Sequence, residues 1–412
     1  MRYFFRRTLS VGFLFWLTLP VPPAAELPLA EQVKSLLAET SRIMGLAVKR
    51  PVPAAYMSKA ELQRYLAAKM KKEVDPRATQ TEEQVIKMLG LAPADFQLRE
   101  STLDLMSEQA AAFYDFKLRK LFVIQPVSPE MTTELLIHEL GHALQDQHFN
   151  LRRFLGKKDL DDDAALARMA VMEGQAMWLM AKQANRVPAE SVLSEAGQDN
   201  SQDNYPVLGN APLYLRASLL FPYEAGLRFQ SAVCEKHADC LSRVFLNPPR
   251  STAHILHPDL YFAATEPESV PLPPLPAGGW QERTNGVLGE FDFYLILRTH
   301  NLPTHALRKA WVGASYRLAQ HKKSQHFLLQ HTSRWKDAAA AQAWFTGYRQ
   351  VLAAKWKVFE VEEATETATA SRLVGRGDSG RFRMERQGRE VVVLEGLPAD
   401  STASRKIKAK EK

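Results

Sequence analysis

Five consecutive residues, His138-Glu139-Leu140-Gly141-His142, constrain this chain more tightly than any other stretch. Two histidines four apart share a face only if the segment is an α-helix, and there both imidazoles can reach one ion. The flanking residues agree. Ser128-Pro129-Glu130 offers an N-cap, a proline at the first helical position and an acid in the first turn, so a helix is predicted to about Gln147. Just before it, from Ala110, the runs AAAFYD and KLFVIQ read as two strands of a hairpin. Glu139 lies about 100° round the helix from His138, beside a bound metal and not beneath it. It is therefore the candidate general base, able to take a proton from a metal-activated water without being a ligand.

Two imidazoles hold a metal weakly, so a third ligand is needed. His148, six residues beyond His142, falls off the shared face. A second helix is predicted after Asp161-Asp162-Asp163, through AALARMAVMEGQAMWLMAKQA, apolar nearly all round and so expected to be buried. Glu173 is the lone acid of that core, and a buried carboxylate needs a cation or another partner. It is the candidate third ligand, with pairing to Arg168 or to another arginine as the alternative. Gly174 beside it would let the two metal-binding helices approach closely. Asp146, one turn beyond His142, is the candidate to support a ligand from behind. Stabilising a tetrahedral oxyanion requires a donor, for which Tyr223, His254 and His257 are the choices. Tyr223 is preferred because Pro222 would fix its loop.

HELGH followed some thirty residues later by a helical glutamate resembles the gluzincin, thermolysin-like zinc metallopeptidases. HELGHALQDQHFNL, with FYDFKLRKLFV before it and EGQA, FPYEAG and NPPRSTAHILHP after it, is more similar still to a group of exported bacterial HExxH proteins. The likeness spans about residues 105–260, with echoes at Gly289-Glu290-Phe291 and Trp335-Lys336-Asp337. It implies a zinc cofactor on His138, His142 and Glu173, Glu139 as general base, and peptide or protein as substrate. By analogy with that class, KLFVIQ or AAFYD at a sheet edge could take an extended peptide by strand addition. The departure lies four residues after the glutamate, where thermolysin-like enzymes carry an acid and this chain carries Met177.

The 412 residues leave room for several regions. Residues 1–25 combine Arg2, Arg6 and Arg7 with an apolar run from Leu9 to Leu19 and a small-residue exit. This reads as a secretory signal, too short for a comfortable membrane span, although an imperfect cleavage site leaves an uncleaved anchor open. A periplasmic or secreted location follows, with no other membrane partner. The net charge of +7 is carried by that segment and by the tail 404–412, read as basic and disordered. The remainder is neutral, so no nucleic-acid partner is expected. Cys234 and Cys240 are the only cysteines, and export makes a disulfide between them the expectation.

The fold class predicted is α+β, mostly helical, with a small sheet on the metal-binding helix pair. Residues 26–100 read as helical, 101–186 as the catalytic region and 187–360 as a helical C-terminal region that opens on a polar loop at 187–210. Helix is predicted over Pro212 to Leu246, interrupted at Phe221-Pro222-Tyr223, and again from Gly289 to about Lys357. Between them Pro267–Gly279 is a proline-rich loop or boundary. A β-hairpin turning at Gln387-Gly388 occupies 361–403. Two rival functions keep the metal: a non-catalytic, zinc-stabilised envelope or binding protein, and a zinc hydrolase of another amide bond.

Overall fold

The computed structural model describes residues 27–127, 129–157, 160–183, 205–307 and 309–398. They divide into two units. One holds the chain to Gln84 and from Ala92 to Glu266; the other holds Val85–Leu91 and the chain from Pro267 onward. The predicted signal segment, the capping Ser128, most of the polar loop and the basic tail lie outside the described residues.

In the first unit, α1 (Leu29–Met44) buries Val33, Leu37, Thr40 and Met44 at helical spacing and stops at Gly45, whose φ of 63° suits a residue without a Cβ. After β1 (Ala54–Ser58), Ser58 and Glu61 close a reciprocal capping box that starts α2 (Lys59–Glu73). Next come α3 (Pro76–Met88) and α4 (Leu98–Gln109). The expected hairpin is formed by β2 (Ala112–Asp115) and β3 (Lys120–Gln125), paired antiparallel. The segment 26–100 is not wholly helical: β1 adds to β3 in parallel, giving the order β1-β3-β2.

On this sheet lies α5 (Pro129–Phe149), which carries the HELGH motif. Ala112 and Tyr114 of β2, Leu121 and Val123 of β3, Leu37 of α1 and Leu136, Leu140 and Leu144 of α5 share one core. After α6 (Leu151–Leu155), α7 (Asp162–Gln183) runs with most of its residues buried, Leu179 reaching that core. The fold is α+β, with a small sheet against the helix pair, as predicted.

The unit closes with α8 (Pro206–Asn210), α9 (Leu213–Lys236), α10 (Cys240–Leu246), α11 (Thr252–Leu256) and α12 (Pro258–Phe262). Phe221-Pro222-Tyr223 does not interrupt α9; the helix runs through with Pro222 inside it. Proline costs one backbone hydrogen bond and a steric clash. The burial of Phe221, Pro222 and Tyr223 together offsets that here. Gly174 also has a different neighbour from the one predicted. A Cβ there would lie 2.1 Å from the Gly226 carbonyl carbon, so the glycines bring α7 against α9. Where α5 meets α7, the close residue is Gly141, opposite Leu179 and Ala176.

The second unit corrects the prediction of a helical second half. From Pro267 onward only α13 (Glu290–Thr299) and α14 (Ala338–Lys355) are α-helices among the described residues. The rest is a seven-stranded antiparallel sheet in the order β4-β5-β6-β10-β9-β8-β7. Its strands are β4 (Trp280–Val287), β5 (Trp311–His321), β6 (Phe327–Trp335), β7 (Phe359–Glu366), β8 (Ala370–Gly377), β9 (Gly380–Gln387) and β10 (Glu390–Leu397). The predicted hairpin at Gln387-Gly388 is β9–β10, one piece of this larger sheet. Phe293, Trp335, Trp344 and Tyr348 pack as an aromatic core, with ring centroids of Phe293 and Trp344 4.6 Å apart. The proline-rich segment from Pro267 coincides with the start of this unit.

Candidate metal centre

His138 and His142 project from one face of α5, and Glu173 comes from the middle of α7. Their ligand atoms form a nearly equilateral triangle. His138 Nε2 and His142 Nε2 are 3.1 Å apart, and each is 3.1 Å from Glu173 Oε2. Ligands about 2.0–2.1 Å from a tetrahedral ion stand about 3.3 Å from one another, so this spacing suits a single small cation. The three residues are 2 % exposed or less, and they are the group of metal-ligating type found among the described residues. Arg168 does not compete for Glu173, because its guanidinium donates to the Phe154 carbonyl.

Burial alone would lower the pKa of His142, but the Glu173 carboxylate beside it carries it up to about 9. Burial would raise Glu173, yet His142 and His138 hold it down at about 2. Desolvation keeps His138 below the usual histidine range. Three groups so poised fit a metal that would replace the proton on His142.

Glu139 lies beside this triangle. Its Oε2 accepts the Tyr114 backbone N–H at 2.7 Å, and its Oε1, fully buried, has no hydrogen-bond partner. Burial drives its carboxyl up to about 7, a range suited to accepting and returning a proton near neutral pH. The Tyr114 N–H is free for this purpose because of strand pairing. Phe113 and Asp115 face β3 with their backbone groups, whereas Ala112 and Tyr114 direct theirs outward along the outer strand.

The other candidates divide. Tyr223, buried on α9, stacks its ring 6.1 Å from that of His138, so the fold brings it to the centre. Asp146 is a correction: it points away from the ligands, accepting from Arg50 Nη2 at 2.7 Å, from the Tyr114 hydroxyl and from Leu151 N–H. One turn beyond His142 places it on the flank of α5 that meets the Arg50 segment. The partner of His142 is instead Gln145, whose Oε1 lies 3.0 Å from Nδ1. His254 is also removed from the chemistry, since its ring bridges the Thr265 carbonyl and the Arg250 N–H. His257 sits at the junction of α11 and α12, and His148 meets the Ala47 carbonyl. Cys234 and Cys240 form a disulfide joining the last turns of α9 to the start of α10.

Sequence reasoning passed over Gln145, Gln175 and the Tyr114 N–H. The available signal was a pair of glutamines, three residues after His142 and two after Glu173, inside helices otherwise apolar on their inner faces.

Residues 276–406 match a family described as a domain of unknown function (DUF8575). That match lies within the second unit and includes none of the residues just described. No curated protein matches the chain. A crystal structure from Chloroflexus aurantiacus, provisionally described as a hydrolase with a novel fold, is 17% identical, covering 58% of this chain and 91% of that one, with a TM-score of 0.38.

Proposed function

We propose that this protein is a zinc-dependent hydrolase of peptide bonds, exported from the cell that makes it. The observation that carries the reading is the pairing of a three-ligand triangle with a non-ligating Glu139 whose Oε1 is unpartnered. Structural zinc sites use four protein ligands, whereas catalytic ones keep a position for water. When bound, zinc would supply Lewis acidity toward the scissile carbonyl and lower the pKa of a water beside it. His138, His142 and Glu173 would hold it. Glu139 Oε1 would take the proton of the attacking water and return it to the leaving amine, while the Tyr114 N–H keeps the carboxylate turned beside the metal. Tyr223 is the proposed oxyanion donor. The sequence of residues 1–25 and the disulfide support export.

The near-complete burial of His138, Glu139, His142 and Glu173 favours one rival, a protein that keeps zinc for stability alone. One experiment separates the two. Purified protein never exposed to chelator is expected to carry about one zinc per chain. Glu139→Gln should keep that zinc and lose hydrolysis of a peptide library by about 10²–10⁴-fold. Glu173→Ala should lose the metal itself. Absence of any transition metal removes the reading, and a zinc-loaded wild type equal to Glu139→Gln in activity leaves the stabilising role.

A further inference from the structure

We infer that Gln145 and Gln175 are positioning residues that fix which nitrogen of His142 carries its proton, reading that choice from two backbone carbonyls. The inference rests on the metal-binding part of the proposed function and goes beyond it, to how one ligand is prepared.

The argument runs inward from groups whose hydrogen-bonding role cannot change. A backbone carbonyl only accepts, whereas a side-chain amide can be flipped and a neutral imidazole can take either tautomer. The Leu241 carbonyl, at the start of α10, lies 2.9 Å from one end of the Gln175 amide. That end must therefore be Nε2, which turns Oε1 of Gln175 toward Gln145. The Met172 carbonyl lies 3.1 Å from one end of Gln145, and Gln175 Oε1 lies 3.1 Å from the same end. Two acceptors facing one amide end require that end to be Nε2, whose two hydrogens serve both. Gln145 Oε1 is then left to face His142 Nδ1 at 3.0 Å. An acceptor there demands that Nδ1 bear a hydrogen. The bare lone pair of the neutral ring consequently falls on Nε2, the atom that points at Glu173 and His138.

Both glutamines are completely buried, so water does not compete for these bonds. A flipped Gln145 would set its oxygen against the Met172 carbonyl and leave a buried donor unsatisfied, a cost of about 1–3 kcal/mol. A carboxylate in this place would hold the imidazole by charge. Two neutral amides hold it by direction alone, and they make the ligand depend on the position of α10, which the Cys234–Cys240 disulfide ties to α9. His138 differs: its Nδ1 is buried with no hydrogen-bond partner, so this arrangement serves His142 specifically.

The test reads the proton directly. In protein with ¹⁵N-labelled histidine, the His142 Nδ1–H should give a slowly exchanging signal, with Nε2 as the metal-side nitrogen. Gln145→Met, similar in size but without the acceptor, should lose that signal and weaken zinc binding about 10–100-fold in competition with a chelator. Gln145→Glu restores the acceptor at His142 but sets its second oxygen against the Met172 carbonyl and Gln175 Oε1, so it should restore the Nδ1–H signal while binding zinc less tightly than wild type. In zinc-loaded wild type, a His142 whose Nδ1 carries no proton, or metal bound through Nδ1, overturns the inference without any variant. So does Gln145→Met with unchanged zinc affinity, or Gln145→Glu without the Nδ1–H signal. A zinc-bearing protein that hydrolyses nothing removes the peptidase reading and leaves this inference standing, because neither readout is activity.

Discussion

His142, kept protonated by the Glu173 carboxylate beside it, sets the first prediction at the scale of single residues. In the metal-free chain His142 is raised to about 9 by Glu173, so the pair is charged across neutral pH. A metal must displace that proton. Its affinity should rise about tenfold per pH unit up to about 9 and level off above, because only the neutral ring binds. Chelator competition at a series of pH values measures this, and a flat profile through neutral pH contradicts it. Stability of the metal-free protein carries the same sign. The folded pKa of His142 lies above its ordinary 6.5, so the stabilisation is complete below that value and is lost as pH rises through about 9. Glu173 is depressed from 4.5 to about 2, so its contribution is present above 4.5 and is lost as pH falls toward 2. Zinc-loaded protein should lack the alkaline loss, since the bound ring stays neutral throughout; urea midpoints with and without metal compare the two.

Between elements, the decisive contact is that of α7 with α9. A Cβ at Gly174 would come within 2.1 Å of the Gly226 backbone, and one at Gly226 within 2.1 Å of the Ala170 carbonyl oxygen. Backbone cannot yield as a side-chain end can. Gly174→Ala and Gly226→Ala should each destabilise by about 1–3 kcal/mol or more, seen in the denaturant midpoint. Gly174→Ala should also weaken metal binding, because Glu173 is its neighbour. Gly141→Ala is the milder case: its nearest obstacle is Leu179 Cδ2 at 3.1 Å, the end of a flexible side chain. If the three variants are equally stable, the helix crossing is not as tight as described. The disulfide acts at the same scale by fixing α10 beside α9. Opening it with Cys234→Ser and Cys240→Ser should cost about 2 kcal/mol by the loop-closure argument for so short a loop, again measured by urea unfolding.

For the molecule as a whole, the division into units is not a simple cut in the sequence. Val85–Leu91 belongs to the unit that otherwise begins at Pro267. Within that unit, Lys355 Nζ donates to the Met88 carbonyl and to Glu395 Oε2, the latter at 2.7 Å, while the Tyr348 hydroxyl donates to the other Glu395 oxygen. His300 Nε2 meets the Gly90 carbonyl at 3.0 Å. A fragment of residues 267–398 would leave the buried Lys355 without one acceptor and His300 without its partner. It should be less stable, by about 1–3 kcal/mol, than the same fragment joined by a flexible linker to Val85–Leu91. Urea unfolding of the two fragments decides the matter, and equal midpoints would show that the segment contributes nothing.

What was legible in the sequence was whatever a local period or a local motif could carry. HELGH fixed the helical face, and AAAFYD with KLFVIQ gave a hairpin as two short apolar runs separated by charged residues. Glu173 stood out because one acid in an apolar helix needs a partner wherever the helix packs. The strands β5 and β6 were hidden for the opposite reason. Gln330, His331, Thr332 and Ser333 are polar and yet completely buried in the middle of β6, so no apolar alternation marks them. β1 was hidden because its pairing with β3 is parallel and spans more than sixty residues, a contact that no local pattern encodes. Asp146 and Gln145 are adjacent on α5, and spacing alone could not say which would face His142; the packing of α7 and α10 against that helix chose Gln145. The sequence by itself determined which side chains could share an ion, because a helix places residues four apart on one face. Only the tertiary structure decided what stands behind them, because a hydrogen-bond partner is set by whichever segment packs there, however distant it is along the chain.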